Sequence, residues 1–318
     1  MTPAERRLDA GVKVGLADDI LVPNRRQQEA HEAFDYLRAR ASQRSEGGVK
    51  GVLLVAPSQS GKSKILNAYR RRHNTEEARE KGKLPILMVT LKANQTTKGL
   101  AQNILVRLEE ELGIATLWQR GNENHLLQRV QTYISAYGIE LLILDEFQHL
   151  VHSERKEVAV SVAETVKGFM NDGLVPVVMS GIEEAWRPIR ANRQLQLRCI
   201  PPLVLDPIDA ESPEEWELFG DFLVGFQAEV ERLRLIDDAV SVLGDSTVAD
   251  NLHTACGGVI GEVCSLLKDA LYLALCQGDD TITEDHLADA VDQKFLMEPD
   301  RINPFRPQAP PPGKRGRT

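Results

Sequence analysis

The sequence predicts an α/β fold in two parts: a parallel five-stranded sheet with helices on both faces, then a small all-helical domain. Three observations predict it. Up to residue 206, short apolar runs alternate with stretches of helical period, the pattern of buried parallel strands joined by covering helices. After Pro207 the strand-like runs stop and only helical patterns remain. The charge changes at the same place. Residues 1–206 carry 29 Lys/Arg against 25 Asp/Glu, residues 207–300 carry 4 against 22, and residues 301–318 carry 5 against none.

In chain order, residues 24–44 read as a helix with Ala30, Ala33, Phe34, Leu37 and Ala41 on one face, stopped by SEGG at 45–48. VKGVLLVA is a buried strand, and Lys62 to His73 a helix. LPILMVTL (84–91) is the second strand. Amphipathic helices at 96–113 and 125–138 end at Gly113 and Gly138. IELLILDE (139–146) is the third strand, a helix covers about 155–171, and LVPVVMSG (174–181) is the fourth strand. A short helix and a fifth strand, CIPPLVLDPI (199–208), complete the sheet. Four helical segments follow, the last capped by Thr283. The expected division is an N-terminal helical segment (1–48), a core (49–206), a helical lid domain (207–298) and a disordered Pro-rich basic tail (299–318).

The composition is that of a globular chain of 318 residues, with 42% hydrophobic and 27% charged residues, which excludes fibrous and wholly disordered classes. No run approaches the roughly 18 apolar residues of a membrane span, and MTPAERRLDAG has no apolar leader core, so the expected compartment is the cytoplasm without a membrane partner. The four cysteines have no C-x-x-C spacing and are expected to be reduced thiols rather than a zinc site.

Between the first strand and its helix lies A-P-S-Q-S-G-K-S (56–63), close to the phosphate-binding pattern G-x-x-x-x-G-K-[ST] with Ala56 at the first glycine. Pro57, Ser58, Gln59, Ser60, Gly61, Lys62, Ser63 and Lys64 are the candidate ATP-binding residues. Backbone N–H groups and the helix N-terminus suit phosphate oxygens, Lys62 suits the β/γ-phosphates, and Ser63 suits Mg²⁺. In LLILDE (141–146), Asp145 is the second Mg²⁺ candidate and Glu146 the group that polarises the attacking water. Ser180 ends the fourth strand, as a holder of water or γ-phosphate or as a plain strand cap. Arg187, Arg190, Arg193 and Arg198 precede the fifth strand. One of them from a neighbouring subunit could complete the site, with Arg198 and then Arg193 favoured.

Together these features resemble a AAA+ ATPase, a P-loop NTPase with a helical lid. More narrowly, DEFQHL (145–150), SGI-EEAW after the fourth strand, L-x-L-R (195–198), GGVIGEVxxLLxxA (257–270) and NPF (303–305) resemble the TniB/TnsC family, regulators of DNA transposition, from about residue 20 to 306. The resemblance implies ATP-dependent oligomerisation, as a ring or helical filament, on double-stranded DNA. It also implies recruitment of a DDE-type transposase and target selection with a TniQ-like partner. Alternatives are a AAA+ initiator or loader of replication or repair, and a DNA scaffold that binds ATP without turnover. Family loops usually carry glycine where this chain has Ala56 and Gln59, and many AAA+ lids carry an arginine where Gly261 and Glu262 stand, which implies slow hydrolysis. For DNA, Lys92, Thr96, Thr97, Lys98 and Arg120 form the candidate phosphate-contacting loops, with a helix cap at Thr96 or Thr97 as the alternative. Arg70, Arg71 and Arg72 form a second basic run.

Overall fold

The computed structural model describes residues 2–43, 48–93, 96–114, 120–150, 156–236, 241–296 and 302–306. The elements in order are α1 (Pro3–Ala17), α2 (Arg25–Ser42), β1 (Gly51–Val55), α3 (Lys62–His73), α4 (Glu76–Glu80), β2 (Ile86–Thr90), α5 (Thr97–Leu112), α6 (Glu123–Ala136), β3 (Leu141–Asp145), α7 (Lys156–Asn171), β4 (Val177–Gly181), α8 (Trp186–Ala191), α9 (Arg193–Arg198), β5 (Leu203–Val204), α10 (Pro213–Arg232), α11 (Ser246–Cys256), α12 (Ile260–Gln277) and α13 (Glu284–Lys294). The chain forms two compact units, residues 26–206 and residues 1–25 with 207–318.

In the first unit the sheet order is β2-β3-β4-β1-β5 and every pairing is parallel. Alternation along β1 explains the layers. Val52 and Leu54 point to a cluster with Phe34 and Leu37 of α2 and Ile65, Leu66 and Tyr69 of α3. Leu53 and Val55 point the other way, to a larger cluster with Leu100, Ile104, Val130, Val166 and Leu195. Strands buried on both faces must be apolar throughout, which is why GVLLV and LLIL carry no alternation. The fifth strand is shorter than the 199–208 expected. Leu203 and Val204 form the paired strand and Cys199 adds an isolated parallel bridge to Gly51, the ladder between them being interrupted at Pro201 and Pro202, which supply no N–H.

The second unit packs Phe219, Phe226, Val248, Leu266, Leu271 and Leu287 around one core. Thr283 caps α13 as expected, and His286 completes a capping box with it.

The sequence division differs from the structure at both ends. The expected N-terminal segment 1–48 is split. Ala30, Phe34 and Leu37 cover the sheet, whereas α1 packs on α12, burying Ala10 and Ala17, and Arg6 Nη1 donates to the Gln277 carbonyl at 3.1 Å. The expected tail is also split. Residues 299–301 and 307–318 lie outside the described residues, but residues 302–306 are seated on α13. Asn303 Nδ2 donates to Ala288 O at 2.8 Å and to Asp292 at 2.7 Å, Arg306 pairs with Asp289 and Asp292, and Phe305 packs half-buried on the core. The physical reason is that NPFR brings an aromatic ring and an Asx-type turn, with Phe305 N donating to Asn303 Oδ1 at 3.0 Å, into an otherwise Pro-rich segment. Among the described residues, no helix is long and apolar enough to cross a membrane.

Truncation after Asp300 removes this clasp and is expected to lower the melting temperature by about 3 °C, whereas truncation after Arg306 should leave it unchanged. Differential scanning calorimetry of both truncations checks this.

Candidate nucleotide site

Parallel strands place all their C-terminal ends at one edge, and the loops that follow β1, β3 and β4 meet there. The loop after β1 runs from Ala56 to Gly61 and opens α3. Gly61 has φ +90° at the helix N-cap and no side-chain cap, so the first N–H groups of α3 are left for an anion. Gln59 also sits in the left-handed region, at φ +57°. Ala56, by contrast, is not among the positive-φ residues, so the loop does not require glycine there.

Lys62 is 7% exposed, and its ammonium bridges the loop by donating to Ala56 O at 2.9 Å and Pro57 O at 2.8 Å. Burial lowers its pKa, opposed by the negative charges of Asp145 and Glu146, so the three groups share one field. Asp145, at the end of β3, is 4% exposed. Burial raises its pKa, while Ser180, the Glu146 N–H and Lys62 favour the ionised form. The Glu146 N–H donates to Asp145 Oδ1 at 3.0 Å. Ser180 is fully buried on β4 opposite Leu54. Its hydroxyl makes no hydrogen bond of regular geometry yet lies close enough to favour ionised Asp145.

The residues fit ATP and Mg²⁺. Ser60 Oγ and Ser180 Oγ are buried without partners, and both belong to this site. Ser63 on the first turn of α3 and Asp145 supply the hard oxygen donors that Mg²⁺ takes. Pro57, Ser58, Gln59, Ser63 and Lys64 surround the loop on its half-buried to exposed side.

The structure does not bring every candidate here. Arg193 starts α9 and is exposed; Arg198 ends α9 and lies against Gly48, where an added Cβ would come within 2.5 Å of its Nη1. Neither forms a bond with the Lys62, Asp145 and Glu146 group of its own chain. Arg190 stacks on Trp186 at 4.9 Å. Of the DNA candidates, Lys92, Lys98 and Arg120 are exposed. Thr96 is the α5 N-cap, accepting from Gly99 N at 3.0 Å. Thr97 corrects the expectation. It is 5% exposed and its hydroxyl is bonded to Ser161 Oγ at 2.9 Å, so packing under α7 withdraws it from any phosphate. In the second basic run, Arg70 is taken by the buried Glu111, which also holds Arg79 and Arg107.

Two residues of the site escaped the sequence reading. Gln148, 4% exposed, donates from Nε2 to Glu146 Oε2, and His149 Nε2 lies 3.8 Å from the same oxygen. The signal was the pair of polar residues inside DEFQHL.

Among solved structures the fold is similar to Aeropyrum pernix ORC2 in ADPNP–ADP complexes, at 18% identity over 86% of this chain and 69% of that one, with a TM-score of 0.59. It is also similar to Cdc6p from Pyrobaculum aerophilum (12% identity, 85% and 68% covered, TM-score 0.58) and to a Walker-type ATPase of Pyrococcus abyssi (11%, 88% and 75%, TM-score 0.55). At these identities the likeness is one of fold, a parallel five-stranded sheet covered by helices with a small helical domain. No curated protein matches the chain. From the site geometry, Lys62→Ala is expected to lower ATP affinity at least 100-fold. Glu146→Gln should bind ATP normally and lose about 100-fold or more in turnover, read by fluorescent-nucleotide titration and phosphate release. The family model of the bacterial TniB protein matches residues 24–204, more than half of the sequence, and the chain belongs to the TniB family.

Proposed function

We propose that this chain is an ATP-driven switch that assembles as a homo-oligomer on double-stranded DNA in the ATP state and leaves it after hydrolysis. The observation that carries the reading is the convergence of Lys62, Asp145, Glu146 and Ser180 at one sheet edge. In the mechanism, the loop N–H groups and Lys62 would bind the β/γ-phosphates, and Ser63 and Asp145 would hold Mg²⁺, which when bound would supply neutralising charge. Glu146 takes the proton of the attacking water. An arginine of a neighbouring copy, Arg198 or Arg193, would stabilise the transferred phosphoryl group. Turnover is slow.

The DNA surface is the loop after β2 and the start of α5, with Lys92 and Lys98 as phosphate contacts, the Thr96 end beside them and Arg120 in the next loop. One backbone bond links it to Asp145 of the candidate nucleotide site. Leu91 N–H, adjacent to Lys92, donates to the Asp145 carbonyl at 2.9 Å.

Two processes would use such a switch. The solved structures of similar fold include origin-recognition and Cdc6 proteins, one of them, ORC1 of Aeropyrum pernix, in complex with DNA. That likeness favours an initiator or loader of replication or repair. Membership of the TniB family supports the other process, regulation of transposition, with the DDE-type transposase and TniQ-like targeting protein that the resemblance implies as partners. The experiment that separates them is reconstitution. ATP-dependent stimulation of strand transfer by a DDE-type transposase supports the second, and loading of a helicase without such stimulation supports the first. Steady-state phosphate release with and without duplex separates both from a scaffold without turnover.

DNA binding is expected to require ATP, to be nearly sequence-blind and to weaken with salt. Lys92→Glu with Lys98→Glu should lower affinity at least tenfold and reduce the salt slope by about 2, with ATP affinity unchanged. Fluorescence anisotropy across a salt series reads both. An unchanged slope moves the contact surface elsewhere.

A further inference from the structure

Glu146 is held in an unusual way. It has φ +58°, a left-handed conformation that a residue with a Cβ adopts only when its surroundings impose it. The surroundings are a tight 3-10 turn, Phe147–Leu150, whose Phe147 and Leu150 are anchored in the core while Glu146 and His149 remain partly open to solvent. The second residue of that turn, Gln148, is polar and yet 4% exposed. A buried carboxamide is costly unless its groups are used, and both ends of this one are. Its Oε1 accepts from the Ile182 N–H, 3.3 Å away, just beyond β4. A backbone N–H can only donate, so this contact fixes which end of the amide is oxygen and sends the NH₂ toward Glu146. There Nε2 donates to Glu146 Oε2. The neighbouring residue on β4 has to be glycine for this to happen. A Cβ on Gly181 would lie 2.4 Å from Gln148 Oε1 and 2.9 Å from Ala185 Cβ.

We propose that Gln148 is a positioning residue for hydrolysis, a strut between the backbone after β4 and the Glu146 carboxylate. It fixes one oxygen, Oε2, and leaves Oε1 to take the proton of the water. The strut joins the strand that carries Ser180 to the turn that carries Glu146, so any shift of the β4 end is passed to the base through one side chain. Gln148 touches no substrate atom and acts only through Glu146. The proposal rests on the hydrolytic reading of Glu146 given above.

The test uses the full chain with ATP, Mg²⁺ and duplex DNA. Gln148→Met keeps length and packing and removes both hydrogen bonds. Gln148→Glu keeps the acceptor for Ile182 N–H and replaces the donor by a carboxylate that repels Glu146. Gly181→Ala leaves Gln148 in place and pushes its oxygen aside. All three are expected to lower kcat by about 10- to 100-fold with nucleotide Kd close to the unmodified chain; the melting temperature should stay close in Gln148→Met, and fall in Gly181→Ala, whose Cβ also crowds Ala185, and in Gln148→Glu, which buries a second carboxylate. A strut is visible in that split, because a residue serving the fold alone would move the melting temperature and Kd first. If Gly181→Ala does not fold, the two Gln148 variants decide the matter. Full kcat in Gln148→Met, or equal losses in kcat, Kd and melting temperature, overturns the strut. Glu146→Gln run alongside separates the two layers. If it turns over normally, the hydrolytic reading and the strut fall together. If it is inactive while Gln148→Met is fully active, the strut alone falls.

Discussion

A buried ammonium needs compensation, and the site is organised around that need at Lys62. Its charge is withdrawn from water and held by two carbonyls of its own loop, with Asp145 and Glu146 as the nearby negative charges. Burial works against both partners, lowering the proton affinity of the lysine and raising that of Asp145. The Asp145 charge is the main support of the lysine as an ion, with Glu146 behind it, whereas Asp145 is kept ionised first by Ser180, then by the Glu146 N–H, and least by Lys62. That balance holds only if the loop after β1 and the end of β3 stay in register although β4 lies between them. The apolar strands, buried on both faces, set that register, and the sheet is therefore the frame on which the charges are balanced.

The same frame concentrates backbone strain where chemistry is expected. Among the described residues, positive φ outside glycine occurs at Gln59, Glu146 and Arg234, and the first two belong to the nucleotide site. Gln59 bends the phosphate loop, and Glu146 turns the chain out of β3. Conformations of this kind cost of order 1–3 kcal/mol each and persist where neighbours over-determine them. The neighbours here are Gly61 with α3 on one side and the buried turn Phe147–Leu150 on the other.

Much of this was legible in the sequence, for reasons that can be named. Four strands are short apolar runs bounded by turn residues, and α5 and α6 end at or near glycines in the left-handed region, Gly113 and Gly138. Lys62, Asp145, Glu146 and Ser180 could be placed because the parallel order follows from strand–helix alternation. The rest depended on contacts with no local signature. The helix α1 falls within the expected N-terminal helical segment, and Thr2, Pro3 and Glu5 spell its capping box, but its packing on α12 had no local signature, because Leu8, Val12 and Leu16 face solvent and no apolar face betrays the burial of Ala10 and Ala17. Thr97 reads as a free hydroxyl until Ser161, 64 residues away, is seen to take it. Gln148 reads as one polar residue among several until Gly181 shows that space was kept for it.

The position of the basic loop is also a consequence of the sheet. In a parallel sheet every strand leads to the same edge, so the residues after β2 emerge beside those after β3. Thr90 pairs with Asp145 in register, and the Leu91 N–H closes on the Asp145 carbonyl at 2.9 Å. Lys92 is thus one residue from a bond to the Mg²⁺-binding candidate itself. Lys92, just past the end of β2, and Lys98, in the first turn of α5, are both exposed. A displacement of the β3 end that accompanies binding or loss of the γ-phosphate would therefore move the backbone of the basic loop directly, without a long path. On the proposed function, one strand pairing and one hydrogen bond would form a short mechanical route from nucleotide state to DNA affinity.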